Sequence, residues 1–138
     1  PARPSRSERE RLRGKLAVIV ENDESMRHGY ALILGDSWGM RIISVEGTSA
    51  ALGAVAALGD TPDMILADYH LTGDDTGIRT IRALREQSGE EIPALMVTAH
   101  RNAGLARSCA RMAIRVLEKP VRPEEVQDSL LTLIAERA

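Results

Sequence analysis

The fold is indicated first by MILAD, residues 64–68, a run of four apolar residues that ends in an aspartate. Similar apolar runs occupy residues 16–20 and 94–97, and a shorter pair lies at Val116 and Leu117. Short apolar runs without strict alternation are typical of parallel strands that are buried on both faces. The more mixed segment 41–46 is typical of a half-exposed edge strand. The sequence therefore predicts five strands.

Between these runs, apolar residues recur at helical spacing. They form five sets: Met26, Tyr30 and Ile33; Leu52, Val55 and Leu58; Ile78, Ile81 and Leu84; Leu105, Cys109 and Met112; Val126, Leu130 and Leu133. Thr48 and Asn102 stand where N-caps are expected, and Gly59 and Gly89 mark returns to strand. Regular alternation predicts an α/β fold, a doubly wound five-stranded parallel sheet with helices on both faces.

Composition limits the function classes. The chain has 138 residues, which fits one domain, and its only aromatic residues are Tyr30, Trp38 and Tyr69. So few aromatics argue against base stacking, and we expect no nucleic-acid binding by this domain. No apolar run approaches the ~20 residues of a membrane helix, so we expect a cytoplasmic domain without membrane contact. Cys109 is the single cysteine and predicts a buried thiol rather than a disulfide or a thiolate metal cluster.

Charge divides the chain into two parts. Residues 1–15 carry a net charge of +4, whereas residues 16–138 carry −6. The first part also contains Pro1, Pro4, Ser5 and Ser7, a composition typical of a solvated tether. We therefore predict a basic linker over residues 1–15 and a folded domain over residues 16–138.

Polar residues follow four of the predicted strands. The first strand is followed by residues 21–24, with the sequence ENDE, and the others end at Asp68, Thr98 and Lys119. Ligand sites of doubly wound folds lie at the carboxyl ends of the strands. Clustered carboxylates repel one another unless a cation lies among them, and Mg²⁺ prefers such oxygen ligands. In this arrangement Asp68 can act as a nucleophile toward phosphorus, while the metal and Lys119 neutralise the phosphoryl oxygens.

Four short motifs carry a resemblance to a known family. They are VIVEND at residues 18–23, ILADYHL at 65–71, MVTA at 96–99 and LEKP at 117–120. Together they resemble the receiver domain of two-component response regulators, over about residues 16–137. The resemblance implies a CheY-like, (βα)5 flavodoxin-like sheet with strand order 2-1-3-4-5. It also implies a phosphoacceptor domain, not an enzyme in its own right, that takes a phosphoryl group from a histidine kinase or a histidine phosphotransfer domain.

The resemblance also implies roles for single residues. Asp68 is the implied phosphoacceptor, Thr98 the switch hydroxyl and Lys119 the partner of the phosphoryl group. The peptide bond from Lys119 to Pro120 is implied to be cis. Receivers usually have a Tyr or Phe three residues before this lysine, but here the switch position is Val116. We therefore expect a switch that works through Thr98 and loop movement, without a ring to swing.

The metal implied by the resemblance is Mg²⁺. Its implied ligands are Glu21, Asn22, Asp68 and the backbone carbonyl of His70. Asn22 stands where the family normally has a metal-binding Asp, because the strand end favours this register over one that uses Asp23. The amide removes one formal charge, so we expect weak Mg²⁺ binding.

Two histidines and one surface complete the implied picture. His70 lies two residues after Asp68, and His100 lies two residues after Thr98. We expect both to tune the lifetime of the phosphate by shielding it or positioning water. The expected output surface is formed by the fourth helix, fifth strand and fifth helix, around residues 102–137, and it is also the surface for a possible homodimer.

The loop at residues 72–77 narrows the resemblance. It is one residue longer than the commonest receiver pattern, and Thr72 replaces the usual proline. Together with Ser37-Trp38-Gly39 and the chain end near Ala138, it is similar to receivers at the C-terminus of hybrid sensor histidine kinases. The parent of such a receiver would carry its kinase activity elsewhere.

Three alternatives remain at this point. A flavodoxin-like cofactor binder needs a phosphate-binding loop after the first strand, where this chain has the acidic residues 21–24. An aspartate-nucleophile phosphohydrolase usually has a second acid where His70 stands. A pseudo-receiver that binds partners without being phosphorylated is favoured only by Asn22.

Overall fold

A computed structural model describes residues 10–137. In this described part of the chain, five parallel strands form one sheet in the order β2-β1-β3-β4-β5, which confirms the predicted order. The strands are β1 (Leu16–Val20), β2 (Arg41–Val45), β3 (Met64–Asp68), β4 (Ala94–Thr98) and β5 (Ile114–Glu118). The mixed segment β2 lies at one edge of the sheet, and the most apolar strands lie inside it.

Among residues 16–137, five helices alternate with the strands. They are α1 (Glu24–Ala31), α2 (Thr48–Leu58), α3 (Gly77–Ser88), α4 (Ala103–Arg111) and α5 (Pro123–Arg137), and α1 continues as a π-helical segment over Leu32–Ser37. Within residues 10–137, no helix is both long and apolar enough to cross a membrane.

The core has two layers, one on each side of the sheet. Tyr30 of α1 and Leu130 of α5 pack on one side, and Val55 of α2 and Ile81 of α3 pack on the other. Leu58 is 48% exposed, so its predicted place on the buried face of α2 is wrong. It is the last residue of the helix, which turns away at the left-handed Gly59.

Helix starts are capped in different ways. Asn102 is the predicted N-cap of α4, and its side chain accepts a hydrogen bond from Leu105 N at 2.8 Å. The prediction that Thr48 caps α2 is wrong, because Thr48 is the first helical residue and the cap position is Gly47. Gly47 has no side chain to accept a hydrogen bond, and Asp75 provides the acceptor for Thr48 N at 2.8 Å instead.

The segment predicted to be a linker is partly packed. Residues 1–9 lie outside the described residues, but Leu12 is fully buried in the core on the α1–α5 side. Nearby, Gly14 N donates to Gly39 O at 2.9 Å. Burial removes the apolar surface of Leu12 from water and so stabilises the fold. The packed structure therefore includes Leu12, which precedes the first strand.

Candidate functional site

Three side chains meet where β1, β3 and β5 end. Lys119 Nζ lies 3.0 Å from Asp68 Oδ1 and 3.7 Å from Glu21 Oε1. Parallel strands bring their carboxyl ends to one edge of the sheet, which is why residues far apart in the sequence converge. The structure thus brings together the predicted acid, the predicted nucleophile and the predicted lysine.

The two carboxylates are buried and the ammonium is partly exposed. Side-chain exposure is 2% for Glu21, 8% for Asp68 and 25% for Lys119. Burial raises the pKa of Glu21, and the neighbouring Asp68 raises it further, while the hydrogen bond from Asp23 N and the charge of Lys119 oppose these effects. One lysine therefore faces two negative groups, and the site is short of positive charge.

The donor atoms suit a hard cation. Glu21 Oε1 is buried without a hydrogen-bond partner, and Asp68 supplies a second carboxylate close by. Mg²⁺ is commonly bound by one or two carboxylates and keeps several of its waters. Among residues 10–137, no three His, Cys, Asp or Glu side chains are grouped to hold a metal. The two carboxylates therefore fit a Mg²⁺ ion that keeps several of its waters.

The two residues after Glu21 are placed differently. Asn22 is exposed beside the site. Asp23 is the N-cap of α1, and its Oδ1 accepts a hydrogen bond from Met26 N at 3.0 Å. The Asp23 carboxylate is thus used at the helix start, and the metal-binding role of Asn22 stays a prediction.

Thr98 is buried at the end of β4. Its register partner on β5 is Glu118, and the neighbouring Val97 pairs with Asp68, so Thr98 lies at the same edge as the acids. Its hydroxyl donates to His100 O and accepts from His100 N, both at 3.3 Å. In this structure the hydroxyl is therefore bonded to its own loop.

The remaining predicted residues lie around the site. His70 and His100 are exposed, and the His70 ring packs edge-on against Tyr69 with ring centroids 4.7 Å apart. Neither imidazole forms an ion pair with the buried carboxylates in the described part of the chain. Val116 is half-buried on β5, and the Lys119–Pro120 bond is cis.

Two residues near the site were not singled out from the sequence. A Cβ atom on Gly77 would lie 2.4 Å from the carbonyl oxygen of Asp68, so only glycine fits there. The Tyr30 hydroxyl is buried without a hydrogen-bond partner, and burial, Glu21 and Asp68 raise the pKa of Tyr30 to about 12. A glycine opening a helix and a tyrosine on an apolar face are weak sequence signals, because both are common for structural reasons alone.

An apolar groove lies beside Lys119. It runs between α1 and the connection from β5 to α5, and it is lined mainly by Met26, Ile33, Pro120 and Val121. The groove opens next to the charged site, so a partner reaching Asp68 from this side would contact it.

Comparisons with known proteins agree with the fold. The family model described as "Response regulator receiver domain" matches residues 17–131. The structure is similar to that of the chemotaxis protein CheY4 of Vibrio cholerae, with a TM-score of 0.76, 22% identity, and coverage of 87% of this chain and 98% of that chain.

Two further structures have the same fold. The signal receiver domain of a putative Luxo repressor protein from Vibrio parahaemolyticus has a TM-score of 0.75 and 21% identity, covering 89% of this chain and 92% of that chain. A CheY-like receiver domain protein from Methanospirillum hungatei has a TM-score of 0.77 and 17% identity, covering 90% of this chain and 96% of that chain. No curated protein matches the sequence at a significant level.

Proposed function

Because the chain belongs to the response regulator receiver domain family, we propose that it is a phosphoacceptor in a two-component phosphorelay. Asp68 takes a phosphoryl group from a phosphohistidine and the domain then changes a partner-binding surface. The observation that carries the proposal is the 3.0 Å contact between Lys119 Nζ and Asp68 Oδ1 beside the buried Glu21.

The transfer step follows from these atoms. A carboxylate oxygen of Asp68 attacks phosphorus, the new O–P bond forms as the N–P bond breaks, and the imidazole leaves with the electron pair. Lys119 is a compact point charge that can follow the phosphoryl oxygens during the step. This mobility makes a lysine better suited to the step than an arginine, because the planar guanidinium of arginine fixes the directions of its hydrogen bonds.

Four groups would hold Mg²⁺: the side chains of Glu21, Asn22 and Asp68 and the backbone carbonyl of His70. When bound, the ion neutralises charge on the phosphoryl oxygens. The support is the buried Oε1 of Glu21, which lies next to Asp68 and has no hydrogen-bond partner. With an amide at Asn22, the ligand set carries one negative charge fewer than a pair of acids would, which weakens the attraction for a divalent ion.

The proposed switch starts at Thr98. A phosphoryl group adds a charge of about −2 beside this hydroxyl, and its present bonds to His100 are long at 3.3 Å. If the Thr98 hydroxyl exchanged these bonds for one to a phosphoryl oxygen, the loop that follows β4 would shift. The affected surface would be formed by α4, β5 and α5. Because residue 116 is a valine, no aromatic ring at this position would rotate.

The proposed partner is a cytoplasmic histidine kinase or histidine phosphotransfer domain. The apolar groove beside Lys119 supports this, because a helical partner that presents a phosphohistidine needs apolar contact close to Asp68. We also propose that this domain is part of a hybrid kinase. In the same proposal, His70 and His100 tune the lifetime of the phosphate on Asp68.

The test is phosphorylation by acetyl phosphate with Mg²⁺. Intact mass measured in acid should rise by one phosphoryl group in the parent and in Asp74→Asn, a matched control in an exposed loop position. The increase should be absent in Asp68→Asn. If the parent stays unmodified at every Mg²⁺ concentration, the pseudo-receiver function, which the exposed Asn22 favours, replaces this proposal.

A further inference from the structure

Asp75, Thr48 and Thr80 form a hydrogen-bonded cluster that joins the β3–α3 loop to the start of α2. Asp75 Oδ2 accepts from Thr48 N at 2.8 Å, and Asp75 Oδ1 accepts from Thr48 Oγ1 at 2.6 Å and from Thr76 N at 3.0 Å. Thr48 Oγ1 lies 2.7 Å from Thr80 Oγ1, which is fully buried. We call these three side chains the Asp75 clamp.

The chemistry of the groups fixes the direction of the bonds. A carboxylate only accepts, so the Thr48 hydroxyl donates to Asp75, and its oxygen accepts from Thr80, whose one hydroxyl proton is shared with the more distant Thr76 O at 3.3 Å. Burial alone would raise the pKa of Asp75, but the hydrogen bonds from Thr48 and Thr76 and the charge of Arg79 lower it below its usual value. The clamp is therefore formed with Asp75 ionised.

The clamp is connected to the backbone beside Asp68. The outgoing arm of the loop, residues 69–71, pairs with the return arm, residues 75–77. Leu71 N donates to Asp75 O at 3.2 Å, Gly77 N donates to Tyr69 O at 2.9 Å, and His70 forms a bridge with Thr76. The side chain of Asp75 fixes the return arm on α2, so it also fixes the arm that leaves Asp68.

We propose that the Asp75 clamp positions the backbone after Asp68 for phosphorylation, an inference that rests on the proposed function. Asp75 acts as a positioning residue, because its carboxylate is bonded to α2 and not to the reacting groups. The arm it holds carries the carbonyl of His70, one of the proposed Mg²⁺ ligands. Loosening the arm therefore weakens Mg²⁺ binding and slows phosphoryl transfer together.

Four variants separate positioning from general stability. Thr48→Val removes the hydroxyl and keeps the side-chain shape, while Thr48→Ser keeps the hydroxyl. In Asp75→Asn, either orientation of the amide turns its NH₂ group toward a backbone N–H, of Thr48 or of Thr76. Asp74→Asn removes the same charge from the neighbouring exposed position.

The measurements are Mg²⁺ binding by isothermal titration calorimetry without a phosphodonor and the initial rate of phosphorylation by acetyl phosphate. Loss of a residue that orients a metal ligand typically weakens metal binding by about 10-fold or more. For Thr48→Val and Asp75→Asn, we expect the Mg²⁺ Kd to rise about 10-fold and the initial rate of phosphorylation to fall. Thr48→Ser and Asp74→Asn should behave like the parent.

Other outcomes overturn the inference in distinguishable ways. If the parent is phosphorylated and Thr48→Val keeps both its Mg²⁺ Kd and its rate, the clamp is only structural, even if its Tm falls. This variant decides the question if Asp75→Asn does not fold, because it keeps the backbone bond to Asp75. A parent that is never phosphorylated removes the proposed function and this inference with it.

Discussion

Replacing Lys119 with methionine tests the electrostatics of the site independently of phosphorylation. The substitution keeps an unbranched apolar side chain but removes the positive charge that faces Glu21 and Asp68. At an effective dielectric of about 20, unit charges about 4 Å apart attract by about 4 kcal/mol. Lys119 is 25% exposed, so hydration of the free ammonium offsets part of this energy. We expect the free energy of unfolding to fall by about 2 kcal/mol at pH 7, less than the 3–5 kcal/mol typical of fully buried pairs.

The assay is urea unfolding followed by circular dichroism, without Mg²⁺, at several pH values. Burial leaves the pKa of Glu21 above its usual value even though Lys119 lowers it, so the stabilisation by Lys119 is present above this raised pKa and is lost as pH falls through it. The difference between parent and variant should therefore shrink toward acidic pH. Lys15→Met, the same exchange far from the site, is the control. A Lys119→Met variant within about 0.5 kcal/mol of the parent at pH 7 would refute this account of the site.

Four other substitutions have definite expected outcomes. Asn22→Asp should bind Mg²⁺ more tightly, measured by calorimetry, because it restores a negative charge; equal affinities would contradict the role of this position. Gly77→Ala should lower the free energy of unfolding by about 1–3 kcal/mol, since its Cβ would overlap the Asp68 carbonyl. Asp75→Asn should be less stable than the parent above about pH 4, and the difference should vanish as pH falls through the lowered pKa of Asp75. Tyr30→Phe should not lose stability, because the hydroxyl is unpartnered, and it should remove the phenol that ionises at about pH 12 in ultraviolet titrations.

The features that follow from local pattern could be predicted from the sequence. Runs such as residues 64–68 are apolar because both faces of the sheet are covered, and this produces the predicted strand order and helix layers. The meeting of Glu21, Asp68 and Lys119 follows from the same logic, because parallel strands end at one edge.

The features that depend on contacts distant in sequence could not be predicted. Thr48 resembles an N-cap by residue type, but the cap of α2 comes from Asp75 in another loop. The charge around Leu12 dominates the local composition and predicts a linker, whereas the burial of Leu12 depends on the core that it meets. The 2.4 Å approach that excludes a side chain at Gly77 is likewise visible only once β3 and α3 are placed together.

The origin of the α2 cap has a consequence for the order of folding. Helices α1, α3 and α4 are capped by residues three positions away, so their first turns can form locally. The first turn of α2 is completed by a carboxylate 27 residues farther along the chain. Nucleating a helix is costly, and a distant cap contributes only after the intervening chain has been ordered. The start of α2 should therefore become stable only after β3 has docked on β1 and the following loop has closed, which makes this helix a late element of assembly.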